Sequence, residues 1–193
     1  MERYYSDDEL THRGLGGVGR NVLLDRTAII LNPAGIRIGD YTRIDAFCLI
    51  SAFGPGVSIG RNVHLAAGVY VYGGGGVLIE DFVNVSARSI IYSVNDDYSG
   101  EHLTGPTLPP EYTGTTSAPV RIGRHAVLGA GSIILPGVTF GEGSASGALS
   151  LIKKNVDPFT IVAGSPARTV KARSRRLLEI EAEFLRRERS HRP

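Results

Sequence analysis

The sequence predicts an all-β fold: a triangular parallel β-helix of hexapeptide repeats, with one extruded loop and an α-helix after the last coil. Three observations carry the prediction. An aliphatic residue recurs every six positions, each slip of the period follows three hexads, and 25 of the 193 residues are Gly, nearly twice the ordinary share of roughly 7%. The in-phase series runs Val18, Leu24, Ile30; Ile38, Ile44, Ile50; Ile59, Leu65, Val71; Ile79, Val85, Ile91; Ile122, Leu128, Ile134; Phe140, Ser146, Ile152. All but Phe140 and Ser146 are Val, Ile or Leu. Four positions after an in-phase residue stands, in most hexads, a small or β-branched one, such as Val22, Ala28, Thr42, Cys48, Val63 or Ser132. A two-residue alternation alone, as in a β-sandwich, does not produce this phase.

Each hexad is a strand too short to bury its own face, so its side chains are covered only when coils stack. Three hexads make one coil, and one corner of the triangle accepts two or three extra residues. Pro33, Gly54-Pro55-Gly56 and Gly73 to Gly76 sit at those corners, where turn dihedrals favour such residues. In chain order, the reading is an N-terminal segment over 1–17, the β-helix over 18–171, and a C-terminal helix over 172–193. Residues 95–121 lack the hexad phase and are rich in Thr, Gly and Pro. Because the hexads resume after them, they form a loop extruded from a continuing helix, a length that is usually functional. Leu177, Leu178, Ile180, Phe184 and Leu185 recur at helical spacing. That amphipathic helix is expected to cap the open end of the solenoid or to pack on the coils or a neighbouring subunit.

Composition removes several function classes. With 42% hydrophobic residues a sizeable core is available. The net charge of +2 gives too weak a field for nucleic acid as a partner. Cys48 is the single cysteine, which excludes an intrachain disulfide, a cysteine zinc site and a redox pair. No apolar run is long enough to span a membrane, and the opening MERYYSDDEL has no apolar core of a secretory signal. The expectation is a cytoplasmic, soluble chain that binds neither membrane nor nucleic acid.

The segments VRIGRHAVLGAGSIILPGVTFGEGSASGAL (Val120–Leu149) and IVAGSPARTV (Ile161–Val170) resemble the hexapeptide-repeat acyltransferases, including the galactoside and maltose acetyltransferases. IEDFVNVSARSIIYSVNDDYSG (Ile79–Gly100), LTGPTLPPEYTG (Leu103–Gly114) and YYSDDEL (Tyr4–Leu10) resemble the subgroup that modifies nucleotide-linked amino sugars, the dTDP-4-amino-4,6-dideoxyglucose acyltransferase type. The resemblance implies a left-handed β-helix, acetyl-CoA as cosubstrate without a metal, and a homotrimer with active sites in clefts between subunits. It also implies a role in surface polysaccharide synthesis. Position by position, Ala130 and Ala148 match the places where backbone groups hold the pantetheine arm. Lys154, Arg168 and Lys171 match basic positions near the phosphates and adenine. Outward residues, including Val71, Tyr72 and Ala87, are expected to be buried between subunits.

Acyl transfer from a thioester needs a nucleophile, a route for its proton, and donors for an oxyanion. No Ser-His-Asp order or nucleophile elbow is present, so direct attack by the acceptor is expected. The family's sugar O-acetyltransferases carry a catalytic His just after the hexad here read as IYSVND, where this chain has Asp96. A carboxylate is a weak base for a hydroxyl but orients an ammonium and accepts its proton, so Asp96 or Asp97 favours an amine acceptor. Both also suit the start of a turn. His64 is the other candidate base, since it follows inward Val63 and points outward. Asn84, Arg88, Tyr72 and His102 are the candidate acceptor-binding residues, with Tyr70 and Tyr92 as further stacking surfaces. His125 is expected outward beside the CoA-side coils, and His12 and His191 in solvated termini. A sugar O-acetyltransferase remains the alternative. A γ-carbonic-anhydrase-like zinc site needs three histidines in register, and these are absent from the sequence.

Overall fold

The structure is a computed structural model that describes residues 2–190; His191 lies outside the described residues. Three parallel sheets form the sides of a triangular prism. The first face is built by Gly17–Val18, Ile36–Ile38, Val57–Ile59, Val77–Ile79, Val120–Ile122 and Thr139–Phe140. The second stacks Leu23–Leu24, Arg43–Ile44, His64–Leu65, Asn84–Val85, Val127–Leu128, Ala145–Ser146 and Thr160–Ala163. The third stacks Ile29–Leu31, Leu49–Ser51, Tyr70–Tyr72, Ile90–Tyr92, Ile133–Ile134 and Leu151–Ile152. Successive strands of the chain go to successive faces, so each pairs with the strand one coil on: Leu23 with Arg43, Arg43 with His64, His64 with Asn84, and Asn84 with Val127.

The hexad series is the interior column. Of its members only Val18 and Ile30, both in the first coil, are less than fully buried. Each buried aliphatic side chain contributes roughly 1.5–3 kcal/mol relative to exposure. Val71, expected on an outward face, is completely buried in this column, because it is itself an in-phase residue. Ser146, the polar exception, accepts from the Gly129 N–H (3.0 Å) and lies 3.1 Å from the Ser132 hydroxyl. Ser132 and Ser150 in turn donate to the Gly147 carbonyl, so the buried hydroxyls are satisfied.

The sequence reading missed a short helix, α1 (Asp7–Thr11), although its signal was present. Ser6 and Glu9 form a reciprocal capping box, and Leu10, 2% exposed, joins the core beside the first coil. The hydrogen bond from Arg26, with those from Ser6, holds the Glu9 carboxyl down at about 2. Two boundaries also differ from expectation. The loop leaves and returns through an antiparallel ribbon, Val94–Asn95 against Thr116–Ser117, and Val120 and Arg121 already pair with Val77 and Leu78. After the last coil, Arg168–Ala172 is a strand folded back antiparallel on Thr160–Ala163. The helix α2 (Leu177–Ser190) begins only where the apolar period begins.

Helix α2 lies along the edge between the first and second faces instead of closing the solenoid's end. That edge turns through left-handed residues including Tyr41, Phe82, His125 and Phe159, each costing roughly 1–2 kcal/mol in that conformation. Packing offsets the cost: Phe82 stacks on His125 (5.1 Å between ring centres) and meets Phe184 edge-on (6.1 Å). Glu181, 9% exposed, accepts from His125 Nε2 at 2.9 Å and pairs with Arg124. Burial, with Arg124 and Arg173 nearby, keeps the His125 imidazole below its ordinary pKa. Arg61 reaches Glu188 further along the helix. No helix among the described residues is long and apolar enough to cross a membrane.

The excursion has its own organiser. Asp97 accepts from the Ser99 N–H and hydroxyl (both 2.8 Å) and from the His102 N–H (3.1 Å), with His102 Nδ1 at 3.2 Å. The Ser99 N–H, then its hydroxyl, hold the Asp97 carboxyl down at about 2.

Two outcomes are expected. Glu181→Ala leaves Arg124 and His125 facing a void, and should destabilise by roughly 1–3 kcal/mol, read as a lower Tm with unchanged β-sheet circular dichroism. Because the folded pKa of Asp97 lies below its ordinary value of 3.8, its contribution to loop order is complete above that value and is lost as pH falls through about 2. Limited proteolysis between residues 96 and 115 should therefore be unchanged from pH 8 to 5, but much faster in Asp97→Ala at every pH in that range.

Candidate active site

The edge between the second and third faces is a ladder of small residues. The N–H groups of Gly68, Arg88, Gly131 and Leu149 donate to the carbonyls of Ala46, Ala67, Ala87 and Ala130. Ala130 and Ala148 thus stand on adjacent rungs of one edge, about 4.8 Å apart. Gly129 is required by close approach, since a Cβ there would come within 2.5 Å of the Gly147 backbone. Arg88 also belongs to this edge, in a left-handed conformation at φ 60°. Its guanidinium is exposed and has no hydrogen-bond or ion-pair partner among the described residues.

At the C-terminal end, Lys154 and Arg168 line one cavity of about 370 Å³ together with Lys153, Asn155 and Thr169. The sequence reading had not singled out Lys153 or Thr169. Lys171 is exposed on the folded-back strand opposite Ile161 and does not line this cavity.

His64 does project from the second face, but it is not free. Its Nε2 is 2.8 Å from Asp45 Oδ2 and its Nδ1 is 3.0 Å from Asn84 Oδ1. Asp45, missed from sequence, is the centre of this cluster, since it also accepts from Arg43 (2.7 Å) and Arg3 (3.1 Å). Burial pushes its carboxyl up, and the hydrogen bonds from His64 and Arg43 outweigh that, so the net shift is downward. The signal available was the period: Arg43, His64 and Asn84 occupy one outward column on successive coils.

The remaining candidates sit across the third face. Tyr72 and Tyr92 are stacked in parallel (5.0 Å, 4°), with Tyr70 edge-on to Tyr72. Beyond them the excursion begins. The Asp96 side chain is exposed and has no hydrogen-bond or ion-pair partner among the described residues. Its neighbour Asp97 is engaged in the turn with His102. The structure therefore brings together His64 with Asn84, Lys154 with Arg168, and Asp97 with His102. It does not gather them into one cavity within a single chain.

Comparison with known proteins gives the same architecture. A family described as the hexapeptide repeat of succinyl-transferase matches residues 35–72 and 119–145. A curated Escherichia coli relative, dTDP-4-amino-4,6-dideoxy-D-glucose acyltransferase, is 41% identical over 94% of both chains. The crystal structure of AntD, an N-acyltransferase from Bacillus cereus in complex with dTDP and 3-hydroxybutyryl-CoA, is 43% identical, with a TM-score of 0.94 over 98% of this chain and 100% of that one. A variant of AntD has been solved with dTDP-4-amino-4,6-dideoxyglucose and coenzyme A, at a TM-score of 0.93 and 43% identity, covering 96% of this chain and 98% of that one. The AntD variants alter a serine and an aspartate ten positions further on. A stack of hexapeptide coils matched along almost its whole length by acyltransferases makes this chain a member of the hexapeptide-repeat acyltransferase family.

Proposed function

We propose that the protein transfers an acyl group, in its simplest form acetyl, from acyl-CoA to the amine of a nucleotide-linked amino sugar, in the cytoplasm and in service of surface polysaccharide synthesis. The observation that carries the reading is the contrast between its two candidate bases. Asp96 offers an unengaged carboxylate, whereas both ring nitrogens of His64 are taken by Asp45 and Asn84. The relatives' substrates support the same class, a dTDP-linked amino sugar and a CoA thioester. Ser86 and Asp96 are the one Ser–Asp pair of this sequence with the spacing altered in AntD.

In this reading acyl-CoA lies along the Ala130–Ala148 edge, with its phosphates toward Lys154, Arg168 and Lys171. Asn84, Arg88, Tyr72 and His102 contact the nucleotide sugar. The sugar nitrogen attacks the thioester carbonyl, a C–N bond forms, and collapse of the tetrahedral intermediate breaks the C–S bond. Asp96, next to Asp97 in the chain, orients the ammonium and takes the proton it sheds before attack, releasing it to solvent; the second N–H proton, lost as the intermediate collapses, passes to the departing thiolate. An amine has a pKa near neutral, so a carboxylate suffices where a hydroxyl would demand a stronger base. Positioning supplies much of the remaining rate.

A homotrimer belongs to the proposal. The edge that carries Ala130 and Ala148 is separated by the whole third face from Asp96 and the excursion, so one chain does not place them around a single acyl group. The third face is outwardly apolar, with Ile29, Leu31 and Tyr70 well exposed and Tyr72, Ile90 and Tyr92 half-buried. A second copy packed there covers that surface and brings its own edge to the excursion.

The test is thiol release from acetyl-CoA with dTDP-4-amino-4,6-dideoxyglucose and with the matching hydroxyl sugar. Transfer to the amine alone is expected, and transfer to the hydroxyl alone refutes the proposal. Asp96→Asn should lower turnover by roughly 10²–10⁴-fold, with the loss shrinking as pH rises and more amine is already deprotonated. A larger loss in His64→Ala would move the base to His64. Light scattering of the active protein should give three times the chain mass of 20.6 kDa, and an active monomer would end the shared-site reading.

A further inference from the structure

His64 is gripped from two sides, and both grips come from oxygens. Its Nε2 is 2.8 Å from Asp45 Oδ2 and its Nδ1 is 3.0 Å from Asn84 Oδ1. A carboxylate oxygen and an amide carbonyl oxygen only accept, so both ring nitrogens donate and the ring is an imidazolium. The surroundings supply the counter-charge. Asp45, 7% exposed, gives Oδ1 to Arg43 (2.7 Å) and Arg3 (3.1 Å) and keeps Oδ2 for His64. The other titratable groups facing the cluster are Asp25, which also holds Arg3, and Tyr4, whose hydroxyl is 3.4 Å from Asp45 Oδ1. On the opposite side stands Asn84, the register partner of His64 on the next coil. With its oxygen turned to the ring, its NH2 points away and has no partner among the described residues.

An amide with one end occupied is directional. A charged His64 draws in the Asn84 carbonyl and leaves the NH2 outward. A neutral ring keeps its one proton for the Asp45 carboxylate, so Nδ1 becomes an acceptor, and the amide satisfies it only by turning over. The outward group then changes from a donor to a carbonyl oxygen. Asn84 stands two residues before Ser86 and on the same coil as Arg88, whose guanidinium is exposed and unpartnered among the described residues. A donor on the same coil as an unpaired cation suits an oxygen that offers lone pairs alone, as a diphosphate oxygen does, whereas a carbonyl oxygen there repels it. We infer that His64 is a positioning residue for the nucleotide sugar: clamped by Asp45, it turns the Asn84 NH2 toward a diphosphate oxygen, and it lets go when the ring loses its second proton. This rests on the proposed nucleotide-sugar site and adds to it the group that sets the direction of the amide. Affinity is full while the ring is charged and falls as pH rises through the range in which histidine changes charge.

The experiment measures dTDP-glucose binding by calorimetry from about pH 5.5 to 8, in the wild type, His64→Asn and Asn84→Asp. This probe carries no amine and its diphosphate keeps its charge over that range, so the reading is independent of catalysis. The wild-type Kd should rise about tenfold from the acid to the alkaline end, the weight of one hydrogen bond to a charged group. His64→Asn puts an amide, which does not titrate, where Nδ1 stood, and its profile should be flat. Asn84→Asp keeps the shape but offers no NH2, and should bind about tenfold more weakly at the acid end. A wild-type Kd that does not change with pH, a slope that survives in His64→Asn, or unchanged affinity in Asn84→Asp each overturns the inference. So does a collapse of kcat with dTDP-4-amino-4,6-dideoxyglucose in His64→Asn at unaltered dTDP-glucose binding and pH profile, which would make His64 the base. The expected binding in a protein that acylates no amino sugar refutes the proposed transfer and leaves the role of His64 standing, whereas a wild type that binds no dTDP-glucose at any pH overturns this inference and the nucleotide-sugar site together.

Discussion

Everything in this molecule depends on strands of two or three residues having to share one interior column. A strand of that length buries one or two large side chains, and its backbone groups are paired only by the coils before and after it. Inward positions are therefore committed to aliphatic residues, to Phe140, or to serines whose hydroxyls find a backbone partner, as at Ser132, Ser146 and Ser150. Even Cys48 serves this column: it is completely buried, and burial pushes its thiol up to about 11.

The corners bear the cost of the tight winding. Tyr41, Phe82, His125 and Phe159 on one edge, and Phe47, Arg88 and Leu149 on another, hold left-handed backbones that disfavour large side chains. On the first edge helix α2 covers Phe82 and His125 through Phe184 and Glu181. The second edge has no such cover in the single chain. Placing large, exposed side chains on strained corners makes sense when something outside the chain meets them, either a cosubstrate or another copy.

The chemistry occupies what the column leaves free. Outward positions recur at the same height on every coil, so Arg43, His64 and Asn84 line up and hydrogen-bond around Asp45. The excursion departs at the corner between the third and first faces, carrying Asp96 past the paired tyrosines. Its base is an antiparallel ribbon and its first turn is tied by Asp97, which keeps it structured while its tip stays available to a ligand or a neighbour.

By itself the sequence determined the winding, because a six-residue period with regular slips admits one way of hiding its aliphatic residues. It located the excursion and the helix, since both interrupt that period, and it pointed to Ser6 and Glu9 even though the short helix they cap went unread. It also put His64 and Asn84 on an outward face. Only the tertiary structure decided which outward residues are engaged. The partners of a solenoid residue lie about twenty positions away on the adjacent coil, or more than fifty away on a helix folded back along an edge, as with His125 and Glu181. Periodicity records that a side chain points outward; it carries no information on whether that side chain is then claimed by Asp45, covered by α2, or left open as Asp96 and Arg88 are.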